Sequence, residues 1–253
     1  MNIYIVVDIE GISGIFDREQ TTSAGIFYED GRDLMTAEVN ACADACKAAG
    51  AEYVYVRDAH GNGSSIRYEA LSDSVDHLIQ GAAGGGVRFA GIEDCDAVIL
   101  LGYHAMSGVE GAVLSHTMSR DRHYFINGVE FGETAIDAAI AAEYGKPVIM
   151  VSGDDKACAE AKHFLPWVTT CEVKRGLGRT KAMLLGKGRA RRLVAEKTRE
   201  AIARISECDL FRVTLPMTVR LLAKDSEYPD RTWESRTMEE ALGESWKYYR
   251  TPQ

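Results

Sequence analysis

Short apolar runs alternate with helical patterns along the first part of this 253-residue chain. The runs of strand length are residues 3–8, 52–58, 96–102 and 148–152. Helical patterns over 29–49 and 133–144 lie between them, and the first is followed by Gly50, a residue that commonly ends a helix. This alternation is typical of β-α-β units, whose continuous apolar strands lie in a parallel sheet covered by helices. The sequence therefore predicts an α/β fold, with a mostly parallel central sheet flanked by helices.

The C-terminal part of the chain differs from the N-terminal part in composition and in the order of its predicted elements. Residues 174–187 form a basic, glycine-containing segment that we expect to be a loop, and charged or apolar patterns then predict further elements. These are a helix over 188–205, a strand over 211–222 and a helix over 236–249. We therefore expect an α/β core over 1–174 and a smaller C-terminal α+β appendage over 175–253, acting as a lid or oligomerisation region. Within the core, Asn127-Gly128 between two short apolar runs predicts a β-hairpin.

Charge and cysteine usage narrow the class of protein. The net charge of −9 argues against nucleic acid or an anionic membrane as a partner, because both attract basic surfaces. No signal peptide pattern begins the chain, and no apolar stretch reaches the ~18 residues of a membrane span. The six cysteines contain no Cys-x-x-Cys pair and are expected to be reduced and structural. These features predict a cytoplasmic protein.

Side chains of the kind that bind metal ions follow the predicted strands where each strand ends. They are Asp8 and Glu10 after the first strand, His60 after the second, His104 after the third, and Glu133 where a helix begins after the hairpin. Ligands of open α/β sheets gather outside the carboxyl ends of strands. Two imidazoles with three carboxylates suit zinc or manganese, and five ligands suit a two-metal site if one carboxylate bridges. Each residue alone is also compatible with a loop or helix-capping role. The prediction therefore rests on the occurrence of candidate ligands at successive strand ends.

His116 lies in a polar loop, Ser115-His116-Thr117, between two of these candidate ligands. An imidazole, with an unperturbed pKa of about 6.5, suits a general acid or base near neutral pH. The alternative is an ordinary histidine of a surface loop. Of the other histidines, His123 is expected to be structural or to contact a metal ligand, whereas His77 and His163 are expected to be peripheral.

Seven separated segments, in order over residues 1 to about 180, resemble the zinc-dependent D-aminopeptidases associated with bacterial dipeptide-transport operons. The segments are Val7–Gly14, Asp58–His60, Leu101–Ala105, Leu114–His116, Phe125–Gly128, Gly132–Glu133 and Val151–Asp155. The resemblance implies a dinuclear zinc site at Asp8, Glu10, His60, His104 and Glu133, with Asp8 as the bridge and His116 at the position of the catalytic residue. It also implies a homo-oligomer, a decamer of two stacked pentamers. The last 70 or so residues align less well with the family.

The residues and the resemblance together predict a metal-dependent aminopeptidase that hydrolyses short peptides with a free amino terminus. The resemblance implies substrates that contain D-amino acids and two zinc ions per subunit, whereas the sequence itself leaves D versus L preference open. Manganese is the alternative ion, and His116 is either a nucleophile or a general acid/base. Two other functions stay open: a two-metal phosphoesterase, and a non-catalytic peptide-binding scaffold that forms rings. Asp154 and Asp155 are left out of the metal site, because an aspartate at a helix N-cap needs no catalytic role. The basic loop at 174–179 either holds a substrate carboxylate or is solvated.

Overall fold

The computed structural model describes residues 1–82, 87–119, 122–223 and 230–250. The strands are β1 (Asn2–Val7), β2 (Tyr53–Asp58), β3 (His77–Ile79), β4 (Ala97–Tyr103), β5 (Arg122–Ile126), β6 (Val129–Phe131), β7 (Val148–Asp154), β8 (Thr169–Gly178), β9 (Lys181–Leu184), β10 (Met217–Ala223) and β11 (Arg231–Ser235). The helices are α1 (Tyr28–Ala48), α2 (Glu133–Glu143), α3 (Asp155–Phe164), α4 (Lys187–Ala203) and α5 (Met238–Arg250).

The central sheet has seven strands in the order β3-β2-β1-β4-β7-β8-β9. All neighbouring pairs from β3 to β8 are parallel, and only the pair β8–β9 is antiparallel. The predicted α/β fold with a mostly parallel sheet is therefore confirmed. The chain builds outward from β1 to β3 and then returns to the other side of β1 with β4. Sheets of this kind bind ligands where the strand order reverses, outside the carboxyl ends of the strands, which here are those of β1 and β4.

Two apolar clusters cover the two faces of the central sheet. Alternate residues of β1 point into different clusters: Ile3 and Ile5 pack with residues of α1 and α4, whereas Tyr4 packs with residues of α2 and α5. The whole strand is buried apart from its first residue, which explains why its sequence is a continuous apolar run. The six cysteines form no disulfide, and all but Cys208 are buried. No helix in the described part of the chain is both long and apolar enough to cross a membrane.

A second, four-stranded sheet has the order β11-β10-β5-β6. The hairpin β5–β6 is antiparallel, as predicted, and its turn residues Asn127 and Gly128 both have positive φ, at 49° and 84°. Two positive φ angles are the requirement of a type I′ turn, which explains the Asn-Gly pair. Because β10 pairs with β5, the small sheet joins the middle of the chain to its C-terminal region.

The predicted loop over 174–187 is wrong, because the segment completes β8 and forms β9. Its charges and glycines resemble a solvated loop, yet Lys174 is buried, and a Cβ at Gly176 would lie 2.2 Å from the carbonyl oxygen of Gly111. Gly176 therefore allows two backbone segments to approach each other closely. The predicted strand over 211–222 is observed only as β10, and β3 and β11 were not predicted. The division into parts 1–174 and 175–253 stays a prediction, although β8 spans that boundary.

Candidate metal centre

Three adjacent strands bring most of the predicted site residues to one edge of the sheet. β1 lies between β2 and β4 and is parallel to both. Asp8 and Glu10 follow β1, His60 follows β2 and His104 follows β4. Glu133 is the first residue of α2, and His116 comes from the loop after β4. The structure therefore brings all six predicted site residues together.

The loop after β1 passes unusually close to β4. The Asp8 amide donates to the carbonyl oxygen of Leu101 at 2.9 Å, and the Gly11 amide donates to that of Gly102 at 2.7 Å. Gly102 has a φ of 71°, and a Cβ there would lie 2.3 Å from the carbonyl oxygen of Asp8. Only glycine allows both this conformation and this approach. The glycine before Tyr103 and His104 thus allows the Asp8 carboxylate to lie beside the His104 ring.

The carboxylates and imidazoles form two overlapping groups. His104 Nε2 lies 3.2 Å from Asp8 Oδ2 and 3.3 Å from Glu133 Oε1. His60 Nε2 lies 3.5 Å from Glu10 Oε1. One group consists of Asp8, His104 and Glu133, and the other consists of Asp8, Glu10 and His60. In each group, the three potential ligand atoms, one from each residue, lie within 4.8 Å of one another. Asp8 is common to both groups.

Hydrogen bonds orient the imidazoles with Nε2 toward the carboxylates. The Nδ1 atoms of His104 and His116 lie 3.0 Å and 2.8 Å from the carbonyl oxygens of Ala105 and Leu114. A carbonyl oxygen only accepts hydrogen bonds, so each Nδ1 carries a proton and the neutral ring keeps a lone pair on Nε2. His60 Nδ1 lies 2.8 Å from Ser65 Oγ. This orientation is the one that metal-binding histidines adopt.

Two buried atoms at the centre have no hydrogen-bond partner among the described residues: His104 Nε2 and Glu10 Oε2. In a neutral His104 ring, the Nε2 lone pair faces the lone pairs of the Asp8 and Glu133 carboxylates. Such an arrangement is favourable only with a cation between these atoms, either a proton or a metal ion. Imidazole nitrogens with carboxylate oxygens are ligands that zinc and manganese accept. The residues present therefore fit a divalent metal ion.

The site also stabilises the charged forms of Glu10, His60 and Glu133. Burial lowers the pKa of His60, but the attraction of Glu10 outweighs it and raises that pKa to about 9. Burial raises the pKa of Glu133, but the attraction of His104 outweighs it and lowers that pKa to about 2. The pKa of Glu10 is likewise lowered, chiefly by His60 against the effect of burial. Glu10 and Glu133 therefore remain negative and attract cations, so a metal ion and protons compete for the same positions.

His116 lies at the margin of the two groups. Its ring stacks on the ring of His104, with centroids 3.8 Å apart and an interplanar angle of 15°. Its Nε2 lies 3.7 Å from Glu133 Oε1, and its side chain is 20% exposed, compared with 1% for His104. His116 also belongs to a third candidate group with Glu10 and His104. It is therefore the histidine of the His104–His116 pair that solvent or a bound molecule reaches.

A buried network beside Glu133 was not predicted from the sequence. Arg88 Nε and Nη2 donate to the two carboxylate oxygens of Asp137, at 2.6 Å and 2.8 Å, and the Tyr103 hydroxyl donates to the same carboxylate at 2.5 Å. Arg88 Nη2 also lies 3.9 Å from Glu133 Oε2. A signal was present, since Asp137 follows Glu133 by four residues in a helix otherwise rich in alanine and isoleucine.

The remaining polar residues that the sequence singled out have structural partners. Asp154 caps α3 by accepting from the amides of Lys156 and Ala157, and its other oxygen accepts from the Val113 amide at 2.8 Å. His123 pairs with Glu130 across the β5–β6 hairpin. His77 and His163 are exposed.

Known proteins resemble this chain in both sequence and fold. A protein-family model described as D-aminopeptidase matches residues 1–249. A curated D-aminopeptidase from Bacillus subtilis (strain 168) is 38% identical over 204 residues, which cover 80% of this chain and 74% of that protein. A solved structure, described as the Zn-dependent D-aminopeptidase DppA from Bacillus subtilis, a self-compartmentalizing protease, superposes with a TM-score of 0.92 at 28% identity, over 100% of both chains.

The predicted family resemblance and the predicted class of enzyme, a hydrolase of the aminopeptidase type, are thereby confirmed. The family match extends over residues 1–249, a range that includes the six clustered residues, and the identity to the curated relative extends over 80% of the chain. This chain belongs to the D-aminopeptidase family.

Proposed function

We propose that this protein is a dinuclear zinc aminopeptidase that removes D-amino acids from short peptides with a free amino terminus. Asp8, Glu10, His60, His104 and Glu133 would hold the two ions. The observation that carries the proposal is the pair of three-residue groups that share Asp8. A carboxylate has two oxygens, so one side chain can serve two ions at once. Zinc is proposed because the structural relative is Zn-dependent, and manganese is the alternative.

Bound zinc would polarise the scissile carbonyl and lower the pKa of water toward about 7. The protein's own residues then supply orientation and proton transfer. The carbonyl oxygens of Ala105 and Leu114 keep the Nδ1 protons of His104 and His116 in place. His116, the more exposed of the two, would accept the proton released by the attacking water at Nε2 and transfer it to the leaving amine as the peptide bond breaks.

A self-compartmentalizing homo-oligomer, in the form of a decamer of two stacked pentamers, is the second part of the proposal. The support is the description of the structural relative as self-compartmentalizing. The β8–β9 hairpin, mostly within the proposed oligomerisation region 175–253, exposes three apolar side chains, Leu177, Met183 and Leu184, at 53%, 57% and 39%. Analytical ultracentrifugation of purified protein tests this part: a decamer is expected, and a monomer at micromolar concentration contradicts it.

A cytoplasmic location agrees with the absence of disulfides among the six cysteines.

The experiment that tests the proposed function combines metal analysis of purified protein with a screen of paired D- and L-aminoacyl dipeptides. We expect two zinc ions per subunit and hydrolysis of the D-aminoacyl members of the pairs. Peptides with an acetylated amino terminus serve as the matched control, because an aminopeptidase needs the free amine. Metal-bound protein that hydrolyses phosphate esters and no peptide would contradict the proposal.

A further inference from the structure

Lys174 is a buried lysine that has no part in the proposed reaction. It lies in β8, its residue is 2% exposed, and its ammonium group faces the loop that follows β1. A lone buried ammonium is costly unless its hydrogen bonds are satisfied. The partners of Lys174 therefore indicate what its burial achieves.

All three hydrogens of the Lys174 ammonium group are directed at one short loop. Nζ donates to the carbonyl oxygens of Glu10 at 2.5 Å, Ile12 at 3.0 Å and Ile15 at 2.6 Å. Three donors are the full capacity of an ammonium group. One of these carbonyl groups belongs to Glu10 itself, so Lys174 contacts the backbone of a proposed metal ligand directly.

A buried acid holds the same loop from α1. Glu38 is 0% exposed, and its Oε2 accepts a hydrogen bond from the Ser13 amide at 3.0 Å. Glu38 thus satisfies a donor of the loop, whereas Lys174 satisfies its acceptors. Two buried groups of opposite type on one loop leave the backbone around Glu10 little freedom to move.

We infer that Lys174 is a positioning residue for Glu10, holding residues 10–15 so that the Glu10 carboxylate faces His60. The inference rests on the proposed metal site. Groups that orient metal ligands influence metal affinity, and their loss typically costs about 10- to 100-fold. A purely structural role would lower the free energy of unfolding without changing the zinc affinity of the folded protein.

The test is the zinc affinity of the full-length Lys174→Met variant, measured by competition with a chromophoric chelator. Methionine has a similar length but no donor. Lys162→Met is the matched control, because Lys162 also donates to backbone carbonyl groups, those of Pro166 and Val168. Those groups precede β8 and lie at the other end of the strand from Glu10. Circular dichroism and cooperative unfolding establish that each variant is folded.

We expect Lys174→Met to bind zinc at least about 10-fold more weakly than the wild type, and Lys162→Met to stay within about twofold. Folded Lys174→Met with the wild-type affinity would overturn the inference. If the wild type itself bound no zinc, the proposed function would fail instead. If Lys174→Met does not fold, the zinc affinity of Lys174→Arg is measured instead. The planar guanidinium of arginine keeps the positive charge but cannot reproduce the three hydrogen bonds that the ammonium group donates to the loop. Weaker zinc binding by this variant supports the inference, and unchanged binding overturns it.

Discussion

The imidazole rings of His104 and His116 stack face to face, with centroids 3.8 Å apart. The inner ring, His104, is 1% exposed and lies between two carboxylates, whereas the outer ring, His116, is 20% exposed. This difference in exposure suggests a difference in role. In the proposed function, His104 would hold a metal ion and His116 would exchange protons with a bound peptide.

Replacing His116 with alanine should therefore slow turnover strongly while leaving the metal in place. General acid–base groups contribute about 10²- to 10⁴-fold to rate, and we expect kcat to fall by that amount. Zinc content, measured on the same preparation by elemental analysis, should equal that of the wild type. His163→Ala, at an exposed histidine of α3, is the control and should retain full activity. A fully active His116→Ala enzyme would refute the assignment.

Replacing Asp8 with asparagine should lower the zinc content to one ion per subunit or fewer. Asparagine keeps the shape of the side chain but loses the negative charge that would attract two cations, and its amide nitrogen is no ligand. Asp96→Asn is the matched control, because Asp96 is an exposed carboxylate before β4, at the edge of the sheet away from the site. If dialysed Asp8→Asn protein still contained two zinc ions per subunit, Asp8 would not be the bridge.

Replacing Asp137 with alanine should destabilise the protein by about 3–5 kcal/mol, because it leaves the buried Arg88 guanidinium without its paired carboxylate. The free energy of unfolding from urea titration measures this loss. Asp33→Ala is the comparison, since Asp33 pairs with Arg67 at 2.5 Å but its side chain is 64% exposed. That variant should lose less than about 1 kcal/mol. Equal losses in the two variants would show that burial of the Asp137 network contributes no stability.

Glu160 should make stability depend on pH. Its Oε2 accepts from the Met106 amide at 2.7 Å, and burial raises its pKa from 4.5 to about 7. Because the folded pKa lies above the unfolded value, the folded protein retains a proton that the unfolded chain releases. The stabilisation is complete below pH 4.5 and is lost as pH rises through 7.

Glu160→Gln cannot titrate, so between pH 5 and pH 8 it should lose about 2–3 kcal/mol less stability than the wild type. Urea titrations of chelator-treated protein measure this difference without the effect of zinc. Glu196→Gln, at an exposed position of α4, should follow the wild type. Parallel curves for Glu160→Gln and the wild type would show that Glu160 does not hold a proton in the folded state.

Elements with a strong local pattern could be predicted from the sequence. The apolar run of β1 is continuous because both of its faces are buried, and Asn127-Gly128 predicts its hairpin because both residues adopt positive φ. The grouping of Asp8, His60 and His104 followed from the rule that strand ends converge at one edge of a parallel sheet. Strand-end ligands are thus visible in the sequence before any contact is known.

Residues that act through distant contacts could not be predicted. Lys174 resembles a solvated loop residue until its partners, more than 150 positions earlier, are known. Arg88 and Asp137 are 49 positions apart, and neither lies in a motif that predicts the pairing. Local pattern reports which side chains are apolar or charged, but only tertiary contacts show which buried charges compensate one another.

The most direct test of the dinuclear site is anomalous X-ray diffraction at the zinc absorption edge from crystals of the zinc-loaded protein. We predict two anomalous peaks in each subunit. One should lie within coordination distance of Asp8, Glu10 and His60, and the other within coordination distance of Asp8, His104 and Glu133. A single peak, or peaks that do not share Asp8, would contradict the account.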